Sequence, residues 1–300
     1  MSQPLPPEII DPLLLMSIGT LLLGQAPWNR DRNIFSAAGL GLFGLFWALR
    51  VPEFLSVGDV VDAAFSLLAL PFFLRLAMEL VKNAGENGGG GKGEHATNIS
   101  AGLEMLVGAV AFGSLLYFLF AKIPLLSGYA IKMVADQTAF LASITGGPYT
   151  IGALDYTDSI WYSPGFYPGS GVTSPILRPD GSEVVRIEFA CTGVQSIIVF
   201  AMPIIFTKRA GWREKKTALV ATSPTIYILN LIRNWSIIYM VDSLGYTPEF
   251  AHNVVGKTGS LVAMVLLAVL VFRIVPGILD DLTDIYHLFV PPKNRGKSSS

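Results

Sequence analysis

The sequence predicts an all-α polytopic membrane protein with about seven transmembrane helices, on the grounds of composition, hydropathy and the placement of charge. Of the 300 residues, 52% are hydrophobic and only 14% are charged, whereas about a quarter are charged in soluble domains. The mean hydropathy is +0.54. A soluble fold of this length has too little interior for so much apolar surface, so lipid must cover it. The net charge of −1 excludes a nucleic-acid partner.

Seven apolar segments come close to the length of about 20 residues that a membrane-spanning helix needs. The start of the chain, MSQPLPPEIIDP, lacks the basic residues of a cleavable signal peptide, so the first apolar segment is expected to stay as a helix. The first two segments are short and can be tilted or interfacial at one end. The seven cover residues 9–24, 34–49, 57–81, 102–125, 190–207, 217–241 and 257–276.

The distribution of Lys and Arg among the loops predicts one orientation in the membrane. The loop 208–216, KRAGWREKK, holds five basic residues, and the positive-inside rule places it in the cytoplasm. Alternation then places the N-terminus outside and the tail 277–300 inside. The loop 52–56, which lacks Lys and Arg, and the loop 243–256 fall outside, as does the segment that precedes Cys191.

Composition divides the chain into two membrane parts. A Gly-rich stretch, GENGGGGKGEH, predicts a flexible cytoplasmic linker over residues 83–100. The linker joins an N-terminal three-helix part, residues 1–82, to a C-terminal part, residues 101–300.

The C-terminal part contains a long outer loop, residues 146–189, before its second membrane helix. Residues 127–142 have mixed polarity at helical spacing, which suits an interfacial helix or a re-entrant segment. Within the loop, ILRPDGSEVVRIEFA predicts a β-hairpin that turns at Asp180-Gly181 and continues in an alternating strand, residues 184–189. This hairpin leads the chain directly to Cys191.

Three reactive residues from distant parts of the chain are expected at the same outer level of the membrane. Cys191 opens an inward helix, His252 precedes the last one, and Arg233 lies about 24 Å along an outward helix at 1.5 Å per residue. Ionisable groups in spanning segments are costly and are candidates for function. By the same measure Arg273 lies near the cytoplasmic end, where a snorkelling anchor explains it.

Each of these residues also has a purely structural interpretation. A lone cysteine is more often apolar filler, and a lone histidine more often belongs to a loop or a helix cap. Arg233 is harder to explain in this way, because its guanidinium stays charged and Asn230 and Asn234 place amides beside it. Together, Cys191, His252 and Arg233 predict nucleophilic catalysis by a Cys/His pair with a cation nearby.

The C-terminal tail offers a weaker candidate site. Asp280, Asp281, Asp284 and His287 could bind a metal ion, but the solvated face of an amphipathic helix explains them better, so no metal or cofactor is predicted. The chain's one cysteine excludes an intrachain disulfide and a cysteine-based zinc site.

The order and spacing of these residues resemble the exosortase/archaeosortase family over residues 102–276. The matching motifs are Glu188-x-Ala190-Cys191-Thr192-Gly193, Asn230-x-x-Arg233 and His252-x-x-x-Gly256. The family's cysteine, arginine and histidine correspond to Cys191, Arg233 and His252. Some members are thought to use a second arginine, for which Arg273 is the candidate, although its depth sets it apart.

The resemblance implies a cysteine transpeptidase in an archaeal plasma membrane, with its active site on the outer side. Such enzymes cleave secreted surface proteins at a C-terminal sorting signal, which consists of a Pro-Gly-Phe motif, a transmembrane helix and a basic tail. Cys191 would form a thioester with the substrate, His252 would act as base and then acid, and Arg233 would stabilise the oxyanion. A lipid amine would then accept the new C-terminus.

Other residues are expected to support this chemistry. Polar neighbours would hydrogen-bond to the catalytic groups or orient them, and aromatic side chains of the outer loop would bind the substrate's motif. The supporting residues are Glu188, Thr192, Asn230, Asn234 and Arg273, and the substrate-binding ones are Tyr156 and Trp161.

Three alternatives stay open. One is an intramembrane cysteine protease that only hydrolyses its substrate. Another is a small-molecule transporter or channel, in which Arg233 and Glu104 line a polar pathway, although no inverted repeat supports it. The third is a structural scaffold, which would leave Arg233 unexplained.

Overall fold

The computed structural model describes residues 7–29, 31–56, 59–86, 94–155, 172–248 and 250–290. Within these ranges the chain forms ten α-helices and a small antiparallel sheet. The helices are α1 (Pro7–Gln25), α2 (Arg32–Leu49), α3 (Val51–Ser56), α4 (Val60–Glu86), α5 (Glu94–Lys122), α6 (Pro124–Gly146), α7 (Val194–Phe206), α8 (Trp212–Asp242), α9 (Lys257–Ile274) and α10 (Pro276–Phe289). The strands are β1 (Thr150–Ile151), β2 (Ser174–Leu177) and β3 (Glu183–Ile187).

The helices confirm the predicted class, an all-α polytopic membrane protein. Four segments in the described ranges are long and apolar enough to cross a membrane, and the apolar helices α1 and α7 are shorter. The four are Arg32–Ser56, Val60–Ala84, Ala101–Lys122 and Phe250–Ile274. Helices α1, α2, α4, α5, α7, α8 and α9 overlap the seven predicted segments. The orientation in the membrane stays a prediction.

Helices α1, α2 and α4 pack against one another through small residues and leucines. A Cβ atom at Gly39 would lie 2.6 Å from Cγ of Leu21, so this glycine lets α1 and α2 approach closely. Leu40, Leu76 and Leu103 are fully buried in the same core, which extends to α5. Helices α4 and α5 also extend into both ends of the predicted linker 83–100, whose middle lies outside the described residues.

Helix α6 is longer than the mixed-polarity segment that the sequence indicated. It begins at Pro124, with only Ile123 between it and the end of α5, because proline fits the first turn of a helix but cannot continue the previous one. Alanine is the commonest residue on its buried face, and Ala135 and Ala139 belong to the same core as Cys191 and Ile238. Helix α6 therefore packs against the turn that carries the cysteine.

The sheet confirms the predicted hairpin and adds one strand to it. The strands lie in the order β1-β2-β3, and Ser174 pairs with Ile187. The connecting turn contains Gly181 at φ +83, a conformation that favours glycine. The final strand ends at Ile187 and not at residue 189, since Phe189 already begins the next turn.

Candidate active site

Cys191 lies in a buried 3-10 turn, Phe189–Thr192, between β3 and α7. The hydroxyl of Thr192 donates a hydrogen bond to the carbonyl oxygen of Phe189 at 2.7 Å, which closes the turn from inside. Gly193 follows at φ +77, so the chain can change direction into α7 where a side chain would be strained. These local features fix where the cysteine sits relative to α7.

Two amide side chains hold the backbone of the cysteine. Asn230 and Asn234 lie one turn apart on α8, and both donate to the carbonyl oxygen of Cys191, at 2.6 and 2.9 Å. A carbonyl oxygen has two lone pairs, so this pair of donors can satisfy it fully. Asn234 is only 2% exposed. The backbone of Cys191 is therefore anchored to α8 at a single atom.

Arg233 lies on α8 between these amides and contacts the segment before α9. Its Nε donates to the carbonyl oxygen of Gly256 at 3.3 Å, and its Nη2 lies 3.2 Å from Nε2 of His252. A guanidinium only donates, so Nε2 accepts, which corresponds to a neutral imidazole with its proton on Nδ1. Both partners belong to a π-helical segment, Phe250–Gly256.

Burial and a neighbouring cation have opposite effects on the pKa of the Cys191 thiol. Burial of the 3-10 turn, which precedes α7, raises the pKa of Cys191 above its ordinary value. The positive charge of Arg233 lowers the pKa of the thiol, and the negative charge of Glu188 raises it. Because the net pKa is raised, the resting thiol is protonated at neutral pH, and attack on a substrate requires a base.

Two cavities flank this cluster. The first, which we call the cysteine cavity, has a volume of about 380 Å³ and brings Cys191, Asn234 and His252 together along β3. The second, the α8–α9 cavity, has a volume of about 270 Å³ and is lined by Arg233 at one end and mostly by apolar or small residues elsewhere. The thiol and the imidazole thus border one space in which a peptide carbonyl can sit.

The sequence family of the chain follows from comparison with known proteins. The family model described as transmembrane exosortase (Exosortase_EpsH) matches residues 9–269. The chain belongs to the transmembrane exosortase family. It is 26% identical over 248 residues to Archaeosortase A of Natronomonas pharaonis, across 81% of this chain and 69% of that protein. No solved structure matches the chain.

The family resemblance recognised in the sequence is thus confirmed, and most of the residues expected at the site lie together. Cys191, Arg233 and His252 form its centre, and their predicted neighbours surround them. Those neighbours are Glu188, Thr192, Asn230 and Asn234. Their roles stay predictions.

The structure does not bring Arg273 into the site around Cys191. Helix α9 begins at Lys257, next to the cluster, and Arg273 follows sixteen residues later with its side chain exposed. At 1.5 Å per residue the distance along the helix is about 24 Å, so the fold gives no support to the predicted role of Arg273 beside Cys191. The predicted substrate-binding residues Tyr156 and Trp161 lie outside the described residues.

The prediction that the acidic residues of the tail lie on a solvated helix face is wrong for Asp281 and Asp284. Asp281 is fully buried on α10, where it accepts a hydrogen bond from the hydroxyl of Thr207 at 2.7 Å and lies 3.3 Å from Arg209. Asp284 pairs with the same arginine at 2.5 Å. The apolar face of α10 packs against the helix bundle, which brings the two carboxylates next to Thr207 and Arg209. The aspartates therefore bind α10 to the loop before α8.

Two charged clusters in the described residues were not predicted from the sequence. Arg50 is only 1% exposed and forms a bidentate pair with Glu53, at 2.7 and 3.0 Å. The i,i+3 spacing of these residues was the available signal. The second cluster joins Lys257, the first residue of α9, to Asp59 and Asp62 at the start of α4. A lysine in the first turn of a helix opposes the helix dipole, which hints at an acidic partner.

Proposed function

We propose that this protein is a membrane-embedded cysteine transpeptidase that cleaves the C-terminal sorting signal of secreted surface proteins. The observation that carries the proposal is the Cys191 turn, which two amides anchor to α8 beside Arg233 and His252. Membership of the transmembrane exosortase family supports the same class of activity. The active site is assigned to the outer face of the plasma membrane, with the N-terminus outside and the C-terminus in the cytoplasm.

The first chemical step transfers the thiol proton of Cys191 to Nε2 of His252 while the sulfur attacks the scissile carbonyl. Nε2 accepts from Arg233 in the resting protein. A substrate carbonyl draws this guanidinium onto its developing oxyanion, which frees Nε2 to take the proton. The C–N bond then breaks, His252 returns the proton to the leaving amine, and a thioester links the substrate to Cys191.

The second step releases the product. The amine of a membrane lipid attacks the thioester, its C–S bond breaks, and an amide forms while the thiol is regenerated. Water in place of the amine would give a free carboxylate, which is the hydrolytic alternative. Glu188 is suited to orient His252 or Arg233, because it lies next to the turn and borders the cysteine cavity together with His252.

The proposed substrate carries a Pro-Gly-Phe motif, a transmembrane helix and a basic tail. The motif would enter the cysteine cavity, where Tyr156 and Trp161 of the outer loop are predicted to contact it. The transmembrane helix would follow the apolar walls of the α8–α9 cavity, which begins at Arg233 and continues to Leu267. The scissile bond would then lie at the level of the thiol.

The transporter alternative is less well supported. It requires Arg233 and Glu104 to share a polar pathway, but Glu104 forms ion pairs with Arg32, at 2.8 Å, and with Lys208. Lys208 follows the end of α7 that is remote from Cys191. Arg233 and Glu104 therefore lie at opposite ends of the helix bundle.

Replacement of Cys191 tests the proposal. Cys191→Ala and Cys191→Ser are expected to abolish processing of a co-expressed surface protein that ends in the tripartite signal. Mass spectrometry of the wild-type product distinguishes a lipid amide from a free C-terminus, and so separates transpeptidation from hydrolysis. Normal processing by a folded Cys191→Ala protein would rule out the nucleophile and with it the proposed activity.

A further inference from the structure

The N-terminal helices reach the candidate active site through an ion cluster at the start of α9. Lys257 donates to the carboxylate of Asp59 and lies 3.6 Å from that of Asp62. Asp59 directly precedes α4, and 198 residues separate it from Lys257. This pair therefore connects a helix of the N-terminal part to the segment that contributes His252.

The side chain and the backbone of Asp59 both form hydrogen bonds with the start of α4. Its side chain accepts a hydrogen bond from the backbone N–H of Asp62 at 3.2 Å, and its carbonyl oxygen accepts from that of Ala63 at 3.1 Å. Both bonds cap the first turn of α4, where a negative charge is favourable. The side chain of Asp59 is only 20% exposed, and that of Lys257 is 32% exposed. The cluster is thus a partly buried link between the starts of α4 and α9, which we call the anchor.

The anchor is one residue away from the catalytic cluster. Lys257 follows Gly256, whose carbonyl oxygen accepts hydrogen bonds from Nε of Arg233 at 3.3 Å and from the hydroxyl of Ser260 at 2.8 Å. A Cβ atom at Gly256 would lie 3.2 Å from the same Nε, so the backbone and the guanidinium are in close contact. A shift of Lys257 would move this carbonyl, and Arg233 would lose a contact that orients it.

We infer that Asp59 is a positioning residue for the catalytic cluster. It holds Lys257, and through it the Gly256 carbonyl that aims Arg233 between the Cys191 thiol and His252. The N-terminal helices thus complete the active site in addition to anchoring the protein. The catalytic meaning of the cluster rests on the proposed function, but the orientation of Arg233 can be measured without any substrate.

The chain's single cysteine provides that measurement. Alkylation of Cys191 by iodoacetamide, followed over a range of pH, reports the fraction of thiolate. The charged and titratable groups around the thiol are Glu188, Arg233, His252, Glu183 and Arg186. Asp59→Asn leaves these groups unchanged. In this variant Arg233 is expected to move away from the thiol and to stabilise the thiolate less. The midpoint of the pH dependence should therefore rise by about half a unit, which slows alkylation about threefold at neutral pH.

The matched control is Asp136→Asn, which removes the acidic partner of Lys132 in an exposed pair on α6, 2.9 Å apart. This variant should keep the wild-type midpoint. Exchange of the charges, Asp59→Lys with Lys257→Asp, should restore the midpoint, because the pair is rebuilt. It also decides the question if Asp59→Asn fails to fold, since a folded exchange variant with a raised midpoint would overturn the inference.

If folded Asp59→Asn keeps the wild-type midpoint of Cys191 alkylation, the inference is also overturned, and Asp59 then has a structural role only. A raised midpoint supports it even if the wild-type protein processes no substrate. The absence of processing would then count only against the proposed function.

Discussion

The two ends of the helix bundle both carry charged clusters, yet only one has the composition of an active site. At the cysteine end, Arg233 contacts His252, and the thiol and imidazole border a cavity of about 380 Å³. At the tail end, defined by Glu104, Arg209 and Asp281, the described contacts are ion pairs that join opposite charges directly to each other. The comparison teaches that a buried charge alone does not mark a site. A thiol and an imidazole that border one cavity, with a guanidinium in contact with the imidazole, mark a candidate site.

The largest difference between the two ends should appear on removal of their arginines. Arg233→Ala is expected to lower processing on the order of 10²–10³-fold, as loss of an oxyanion donor does, while the protein stays folded. Arg209→Ala should lower thermal stability in detergent with processing per folded molecule unchanged, since Arg209 contacts Asp281 and Asp284. Equal losses of processing in both variants would erase the distinction between the ends.

The next effect concerns the base. His252→Gln keeps a side chain that can accept a hydrogen bond from Arg233, but it cannot take up a proton. Processing should fall on the order of 10²-fold, and the acidic limb of the pH–rate profile should disappear. A variant that keeps both its rate and its acidic limb would show that another group removes the thiol proton. The measurement is the initial rate of processing between pH 5 and pH 9 (expected to cover the ordinary histidine pKa of about 6.5).

A smaller effect is expected from the amide anchor. Asn234→Ala removes one of two donors to the Cys191 carbonyl and leaves a buried acceptor less well satisfied, at a cost of about 1–3 kcal/mol. Processing should fall about tenfold, with little change in substrate affinity, because the anchor sets the position of the thiol. Asn230→Ala should have a weaker effect because Asn230 is less buried. Unchanged turnover in Asn234→Ala would make the anchor structural only.

The smallest effect on activity should come from the tail end. Asp281→Ala removes the acceptor of the Thr207 hydroxyl and a partner of Arg209, so the melting temperature should fall. Processing by the folded fraction should match the wild type. A loss of turnover without a loss of stability would show that the tail communicates with the active site.

Hydropathy predicted the membrane helices well, because spanning a bilayer demands a run of apolar residues that few other structures require. Helix depth was also sufficient to group Cys191, Arg233 and His252, since rise per residue converts sequence position into height. The same arithmetic set Arg273 apart, and the structure agrees with that separation. Where geometry follows from one helix alone, the sequence was a reliable guide.

Contacts between distant elements were harder to predict. The amides Asn230 and Asn234 were noticed, but their shared acceptor is a backbone carbonyl, which leaves no trace in the side-chain pattern. Helix α6 was underestimated because Lys132, Asp136 and Gln137 interrupt its apolar residues, so its hydropathy is modest. The pair of Asp59 and Lys257 spans 198 residues, and although Lys257 at the start of a helix hints at an acidic partner, nothing in the sequence says which acidic residue it is.

The central claim is that Cys191 attacks the substrate and carries it as a thioester. The most direct test is to mix the purified protein with a tripartite-signal substrate in acceptor-free detergent, quench with acid and identify the peptide that contains residue 191 by mass spectrometry. The account predicts an adduct on Cys191 with the mass of the substrate's N-terminal fragment, removed by hydroxylamine and absent from Cys191→Ala. Cleavage of the substrate by Cys191→Ala, or an adduct on a different residue, would contradict it.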